Sequence, residues 1–166
     1  MTAHDAAEGR REEWDALRAR YLRSPGERPP SSGRGLHHLA LRSSDVEATI
    51  TFYQDLLEFP LTELFENRDY RGSTHFFFDI GHGNLLAFFD FPGLGLGVHA
   101  EILGGLHHVA ISVAPDRWDT LRNKLDTAGV TTECISGSSL YFSGPDGERL
   151  ELIKDPLGEM YGSAVA

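Results

Sequence analysis

Two histidines stand in the same seven-residue context, 70 positions apart. Gly35-Leu36-His37-His38-Leu39-Ala40-Leu41 recurs as Gly105-Leu106-His107-His108-Val109-Ala110-Ile111, with five positions identical and two aliphatic exchanges. A third group of metal-ligating type, Glu151, lies in Arg149-Leu150-Glu151-Leu152-Ile153. Read as strands, these runs alternate between two faces. Leu39, Leu41, Val109, Ile111, Leu150 and Leu152 go to one face; His38, His108 and Glu151 go to the other. Two imidazoles and one carboxylate suit a divalent first-row metal that keeps open positions, into which substrate or water can enter. His37 and His107 alternate to the helix-facing side, where a supporting role is expected.

The elements that must carry these side chains follow from the repeat, which is read before any smaller motif. After the first copy, Ser44-Asp45 starts a helix-like stretch with Ile50, Phe52, Tyr53, Leu56 and Leu57. After the second, Pro115-Asp116 starts another with Trp118, Leu121 and Leu125, and the first positions of both read as N-caps. Three strand-like runs follow each helix: Leu61–Phe65, Thr74–Ile80 and Asn84–Phe91, then Val130–Ile135, Ser139–Phe142 and Arg149–Ile153. Gly81-His82-Gly83 and Pro145-Asp146-Gly147 are the turns before the last strands. Each half is therefore βαβββ, and the fold class is α+β, built from two paired modules with the helices outside. One module cannot cover both its helix and its sheet, so the two must pair, within a chain or across a homodimer.

The expected boundaries are 1–34 for an N-terminal extension, 35–92 for module 1, 93–104 for a connector, 105–154 for module 2 and 155–166 for a tail. Ala6 to Leu22 reads as a polar helix with Trp14, Leu17 and Tyr21 on one stripe. Ser24-Pro25-Gly26 stops it, and 28–34 is a Pro/Ser/Gly-rich linker. Pro92 to Gly97 reads as a flexible link and not a phosphate loop.

Composition narrows the partners. Of 166 residues, 25 are Asp or Glu and 15 are Lys or Arg, a net charge of −10. Nucleic acid and anionic membranes need clustered cations and are not expected partners. No apolar run reaches the roughly 20 residues of a membrane span. The single cysteine, Cys134, builds neither a disulfide framework nor a thiolate metal site by itself. A cytoplasmic protein acting on a small molecule is the expectation.

Residues 35–154 resemble the vicinal oxygen chelate superfamily, which includes glyoxalase I, bleomycin-resistance proteins, fosfomycin-resistance transferases and extradiol dioxygenases. The resemblance is carried by His38-Leu39-Ala40-Leu41-Arg42 with Asp45 and Phe52-Tyr53-Leu56-Leu57, by His108-Val109-Ala110-Ile111-Ser112, and by Pro145-Asp146-Gly147-Glu148-Arg149-Leu150-Glu151-Leu152. It implies paired βαβββ units forming a cup-shaped mixed sheet around a metal held by His38, His108 and Glu151. The family's fourth ligand slot falls on Ala87, with Asp90 nearby on the opposite strand face.

An empty fourth slot resembles the ring-cleaving dioxygenases, so the resemblance implies an extradiol-type enzyme using Fe(II) on a small aromatic vicinal-oxygen substrate. Tyr141, in Leu140-Tyr141-Phe142-Ser143-Gly144-Pro145-Asp146-Gly147, resembles part of the extradiol signature and is a candidate catalytic group. The chain departs from that signature at Gly144 and lacks its upstream histidine; His75 is the candidate to compensate, as a proton shuttle. It alternates with Phe77 and Asp79, opposite Phe76 and Phe78, and the pattern leaves open which set faces the metal. Phe77, Phe89, Phe91 and Tyr141 are candidate aromatic walls. The alternatives are a redox-neutral lyase, isomerase or thiol transferase using Mn, Zn or Ni as Lewis acid, and a metal-free binding protein of the bleomycin-resistance type. A phosphonate substrate would need cations, of which Arg42, Arg71 and Arg149 are the candidates.

Overall fold

The computed structural model describes residues 10–164. The chain divides into two compact units, with the break after Arg34. The first contains helix α1 (Arg11–Tyr21), with Glu12 and Glu13 in its first turn and Arg18 and Arg20 in its last. That charge order complements the helix dipole. None of its residues is buried, and Trp14, Leu17 and Tyr21 are exposed. The expected start, Ala6 to Gly9, lies outside the described residues.

The second unit holds both modules. Module 1 runs β1 (His38–Ser43), α2 (Val46–Ile50), β2 (Leu61–Glu66), β3 (Thr74–Asp79) and β4 (Leu85–Asp90). Asp45 caps α2 by accepting from the Ala48 amide at 3.0 Å. The helix continues through Thr51–Leu56 in π-helical form, with the Leu57 amide donating to the Phe52 carbonyl. Tyr53 and Leu57 are thereby buried. Module 2 runs β5 (Val109–Ser112), α3 (Pro115–Thr127), β6 (Glu133–Ile135), β7 (Ser139–Ser143) and β8 (Arg149–Ile153). Here the expected polar cap is absent. Ala114 occupies the N-cap and Pro115 the first turn, where a missing amide costs nothing. Strand β6 is shorter than expected because the Val130 amide is taken by the Leu125 carbonyl at the end of α3, with Gly129 at φ +76° as the stop.

The sheets repeat the same plan, β1-β4-β3-β2 and β5-β8-β7-β6, with the first pair of each parallel and the others antiparallel. Ala40 lies beside Ala87, which faces Phe77; Ala110 lies beside Glu151, which faces Tyr141. Ala87 is thus the counterpart of Glu151, Phe77 of Tyr141, and His75 of Ser139.

One hydrophobic cluster serves both modules. Tyr53, Phe76, Phe78, Leu86 and Phe88 from module 1 join Trp118, Leu125, Leu140, Leu150 and Leu152 from module 2. Polar bonds tie the modules at its rim: Tyr53 donates to Glu148 at 2.6 Å, and the Ser44 amide to Asp146 at 3.0 Å. Lys124 adds contacts to the Asp55 carbonyl and Glu58. Both helix-facing sheet surfaces are spent on this core, so the histidine-bearing surfaces face away from it.

Candidate metal centre

His108 and Glu151 meet. The imidazole Nε2 lies 3.1 Å from the Glu151 carboxylate, whose side chain is almost fully buried. A buried carboxylate needs partners; His108 is one, and Tyr141 stands opposite Glu151 in the strand register. The Tyr141 ring meets His108 edge-on at 5.7 Å between centroids. Burial pushes the Tyr141 phenol up from its ordinary value, and Glu151 adds to the shift. The phenol keeps its proton at neutral pH. Arg149 lies 4.7 Å over the Tyr141 ring and 3.9 Å from Glu101.

The histidine doublets have a use that alternation alone misassigns. His37 and His107 are not buried against the helices but exposed, just ahead of the strands. Each binds its neighbour ring nitrogen to ring nitrogen, His37 Nδ1 to His38 Nδ1 at 2.8 Å and His107 Nδ1 to His108 Nδ1 at 2.6 Å. With Nδ1 engaged, Nε2 of His38 and of His108 is the nitrogen presented for other chemistry.

His38 stands on the corresponding surface of module 1, edge-on to Phe77 at 6.0 Å. The question of faces resolves here. His75, Phe77 and Phe89 share the His38 side, while Phe76 and Phe78 are in the core. His75 stacks on Phe89 at 3.8 Å and leans on Phe77 at 4.2 Å, with Phe65 edge-on at 5.3 Å. Phe91 continues the row behind Phe89. The His75 Nε2 is buried with no hydrogen-bond partner among the described residues. Burial, helped by nearby His38, lowers its pKa, so the ring is neutral near pH 7. Asp90 is no substitute for the missing fourth ligand. It lies across the strand from the Ala87 face, beside Ser43, and accepts from the Thr74 amide.

Among the described residues, no three His, Cys, Asp or Glu side chains come together as a metal-binding group. His108 and Glu151 form one half on module 2, and His38 stands on module 1. The donor chemistry of that half, an imidazole nitrogen 3.1 Å from a carboxylate oxygen, fits a divalent ion. Sequence reasoning missed two residues of the connector, His99 and Glu101. With Glu133, Tyr141 and Arg149 they line a cavity of about 490 Å³ beside this half-site. Nothing periodic marks them; the His99 amide bond to the Asp146 carbonyl at 2.9 Å is what fixes them there. A larger groove, about 810 Å³, runs along Ala48, Phe52, Leu56 and Val130 and contains none of the candidate residues.

Comparison with known proteins agrees with this fold. Residues 35–152 match the model of the Glyoxalase/Bleomycin resistance protein/Dioxygenase superfamily. The glutathione transferase FosA of Serratia marcescens is 29% identical over 122 residues, covering 72% of this chain and 79% of that protein. The metallothiol transferase FosB of Lysinibacillus sphaericus (strain C3-41) is 25% identical over 131 residues, covering 71% and 80%. A glyoxalase family protein from Enterococcus faecalis superposes with a TM-score of 0.59 at 25% identity, covering 73% of this chain and 98% of that one. Among the described residues no helix is long and apolar enough to cross a membrane.

Proposed function

The chain belongs to the Glyoxalase/Bleomycin resistance protein/Dioxygenase superfamily, and from that premise we propose that it is a divalent-metal enzyme of the ring-cleaving dioxygenase type, acting on a small aromatic substrate with two neighbouring oxygens, with Fe(II) as the metal its residues would hold. The observation that carries this reading is the unequal filling of equivalent slots. Glu151 has Ala87 as its counterpart, so the repeat offers two histidines and one carboxylate and no fourth ligand. The centre then consists of His38 from one copy with His108 and Glu151 from another, because within one chain His38 lies apart from that pair.

An Fe(II) held by these residues would supply a Lewis-acid hold on two substrate oxygens and one-electron chemistry with dioxygen. The remaining work falls to the protein. Tyr141, opposite Glu151 and edge-on to His108, is placed to steady the carboxylate. Phe77 and Phe89 offer an apolar wall that excludes water from one side of a planar ring. His75, neutral and on the His38 side of the sheet, is the candidate to take a proton from a phenolic hydroxyl. Ring cleavage of this type needs no outside reductant, since the diol supplies the electrons and both oxygen atoms enter the product.

A second reading, redox-neutral thiol transfer, is favoured by the two curated relatives, both named as transferases. A phosphonate substrate would have to draw on Arg71 or on Arg42, which is exposed on the same side of β1 as His38. Arg149 is engaged by Glu101 and the Tyr141 ring.

Metal analysis of protein purified without oxygen, beside Glu151→Ala, tests the reading. Iron near one per chain, lost in the variant, together with oxygen uptake over catechols, supports it. Zinc, nickel or manganese with no oxygen uptake supports the transferase reading; no metal in either protein sinks both. Mixed dimers test the shared centre. Neither His38→Ala nor Glu151→Ala should hold metal alone, but co-refolded they should recover about a quarter of the native content, because half the dimers carry one intact site of two.

A further inference from the structure

Each candidate histidine ligand is preceded by a second histidine, and the two doublets repeat one geometry. The rings of His37 and His38 stand 5.1 Å apart at 75°, and those of His107 and His108 stand 4.9 Å apart at 74°. In each doublet the two Nδ1 atoms face one another, at 2.8 Å and 2.6 Å. Nδ1 is the ring nitrogen nearer the backbone, so neighbouring residues can meet through it. Such a contact is a hydrogen bond only when one nitrogen carries a proton and the other is bare. Two bare nitrogens, or two N–H groups, would repel at this distance. The tautomer of one ring therefore dictates that of the other.

Donor counting gives the direction when Nε2 of the second ring holds a metal. A ligating imidazole offers its lone pair at Nε2 and keeps its proton on Nδ1. His108 then donates from Nδ1, so His107 must accept at Nδ1 and carry its own proton on Nε2. That nitrogen lies 4.0 Å from Glu101 Oε1, so the outer proton points toward a carboxylate. The same count makes His37 the acceptor for the His38 Nδ1–H. Without metal the order at the second doublet reverses. His108 Nε2 lies 3.1 Å from Glu151, and an ionised carboxylate only accepts. With both rings neutral, His108 then carries its proton on Nε2, its Nδ1 is bare, and His107 donates. Loading a metal moves the His108 proton from Nε2 to Nδ1 and the His107 proton from Nδ1 to Nε2. The pair neither gains nor loses a proton, and solvent reaches both side chains to exchange them.

We propose that His37 and His107 are positioning residues of the metal centre, each accepting the Nδ1–H of the histidine that follows it and so turning that ring's Nε2 lone pair toward the metal. This deepens the metal-centre reading above and rests on it. The doublet, and not the single histidine, is then the unit that the repeat duplicates.

Asparagine separates acceptance from mere bulk in the test. Its Oδ1 sits as many bonds from the backbone as histidine Nδ1 and can accept the same hydrogen bond. Zn(II), which takes imidazole and carboxylate ligands and has no redox chemistry, is the probe, titrated into the full chain against a coloured chelator. His37→Ala and His107→Ala should each weaken Zn(II) binding about tenfold, and the double variant about a hundredfold. His37→Asn and His107→Asn should each stay within about threefold of the native chain. Both residues are exposed, so metal-free melting temperatures should stay within about 2 °C. Nitrogen NMR of the histidine-labelled chain at about pH 8.5, about two units above the ordinary imidazole value, reads the tautomers. His107 should carry its proton on Nδ1 without metal and on Nε2 with Zn(II). Alanine variants that bind Zn(II) as tightly as the native chain overturn the proposal and leave the metal centre standing. So do asparagine variants as weak as the alanine ones, or a His107 tautomer that loading does not change. Failure of the native chain to bind Zn(II) overturns the metal-centre reading and this proposal with it.

Discussion

Gly144 is the residue at which the chain departs from the extradiol signature, and the structure supplies a packing reason that mutation can test. A Cβ at this position would fall 2.0 Å from Glu148 Oε1 and 2.3 Å from its carboxyl carbon. Glu148 cannot yield cheaply. It is 4% exposed, Oε1 accepts from the Tyr53 hydroxyl at 2.6 Å, and Oε2 accepts from the Asp146 amide at 3.0 Å. Tyr53 is fully buried in the core shared by the modules. Gly144 itself is not among the glycines with positive φ, so alanine strains no backbone there, and the cost of Gly144→Ala is the displacement of Glu148. Losing a charge-assisted bond and leaving a buried phenol unpaired should cost about 3 kcal/mol. For a chain of this size that is a fall in melting temperature of about 6–12 °C. Thermal melts followed by circular dichroism measure it, and a double-mutant cycle identifies its cause. In a Glu148→Ala background the obstacle is gone, so Gly144→Ala should add less than about 0.5 kcal/mol. A single variant melting within about 1 °C of the native chain, or an equal cost in both backgrounds, would refute the reasoning.

Three further outcomes are expected. Burial holds the Glu148 carboxyl above the ordinary value of 4.5, so its stabilising contribution is complete below that pH and is lost as pH rises through the folded-state value. Urea titrations from about pH 4 to pH 7 should show the stability difference shifting steadily toward Glu148→Gln over the native chain, and a difference flat in pH is the contrary result. His75→Phe replaces an unpaired buried nitrogen inside a phenylalanine row and should raise stability by about 1 kcal/mol while lowering turnover of any catechol substrate; a destabilised variant would mean that His75 Nε2 is satisfied in solution. Asp45→Ala removes the cap bond to the Ala48 amide and should cost about 1 kcal/mol, read as a fall of about 2–4 °C in melting temperature.

The two repeats were legible because they obey simple periods. Alternation assigned Leu39 and Leu41 to the core and His38 to the opposite surface, and the spacing of Trp118, Leu121 and Leu125 marked the buried side of α3. The pairing of the Ala87 and Glu151 slots also followed from aligning the two turns, and the strand registers agree. What failed to appear in the sequence depends on three-dimensional neighbours. The Val130 amide was lost to a helix end, which no alternation pattern records. His37 and His107 sit just before their strands begin, so period-two reasoning gave them a face they do not have. His99 lies in a segment without any period, and its position comes from one backbone bond to a turn 47 residues later, at Asp146.

The equivalent slots that the repeat creates are filled with opposite chemistry, and this carries the functional argument furthest. On module 2 they hold Glu151, Tyr141 and Ser139; on module 1 they hold Ala87, Phe77 and His75. A symmetric pair of surfaces would present two identical half-centres. Here one surface carries the carboxylate, and the other carries a row of rings with His75 among them and His38 beside it. Each is incomplete as an active site. The first lacks an apolar wall for a substrate, and the second lacks a carboxylate to hold a cation against His38. Both helix-facing surfaces are already committed to one core within the chain, so the two histidine-bearing surfaces cannot close on each other without giving that core up. A second copy removes the conflict, because each chain can offer its ring-lined surface to the other's carboxylate. The mixed-dimer recovery of metal by His38→Ala and Glu151→Ala chains is therefore the sharpest test of the proposed shared centre. If each variant chain bound metal fully by itself, the division of labour between the repeats would have to be abandoned.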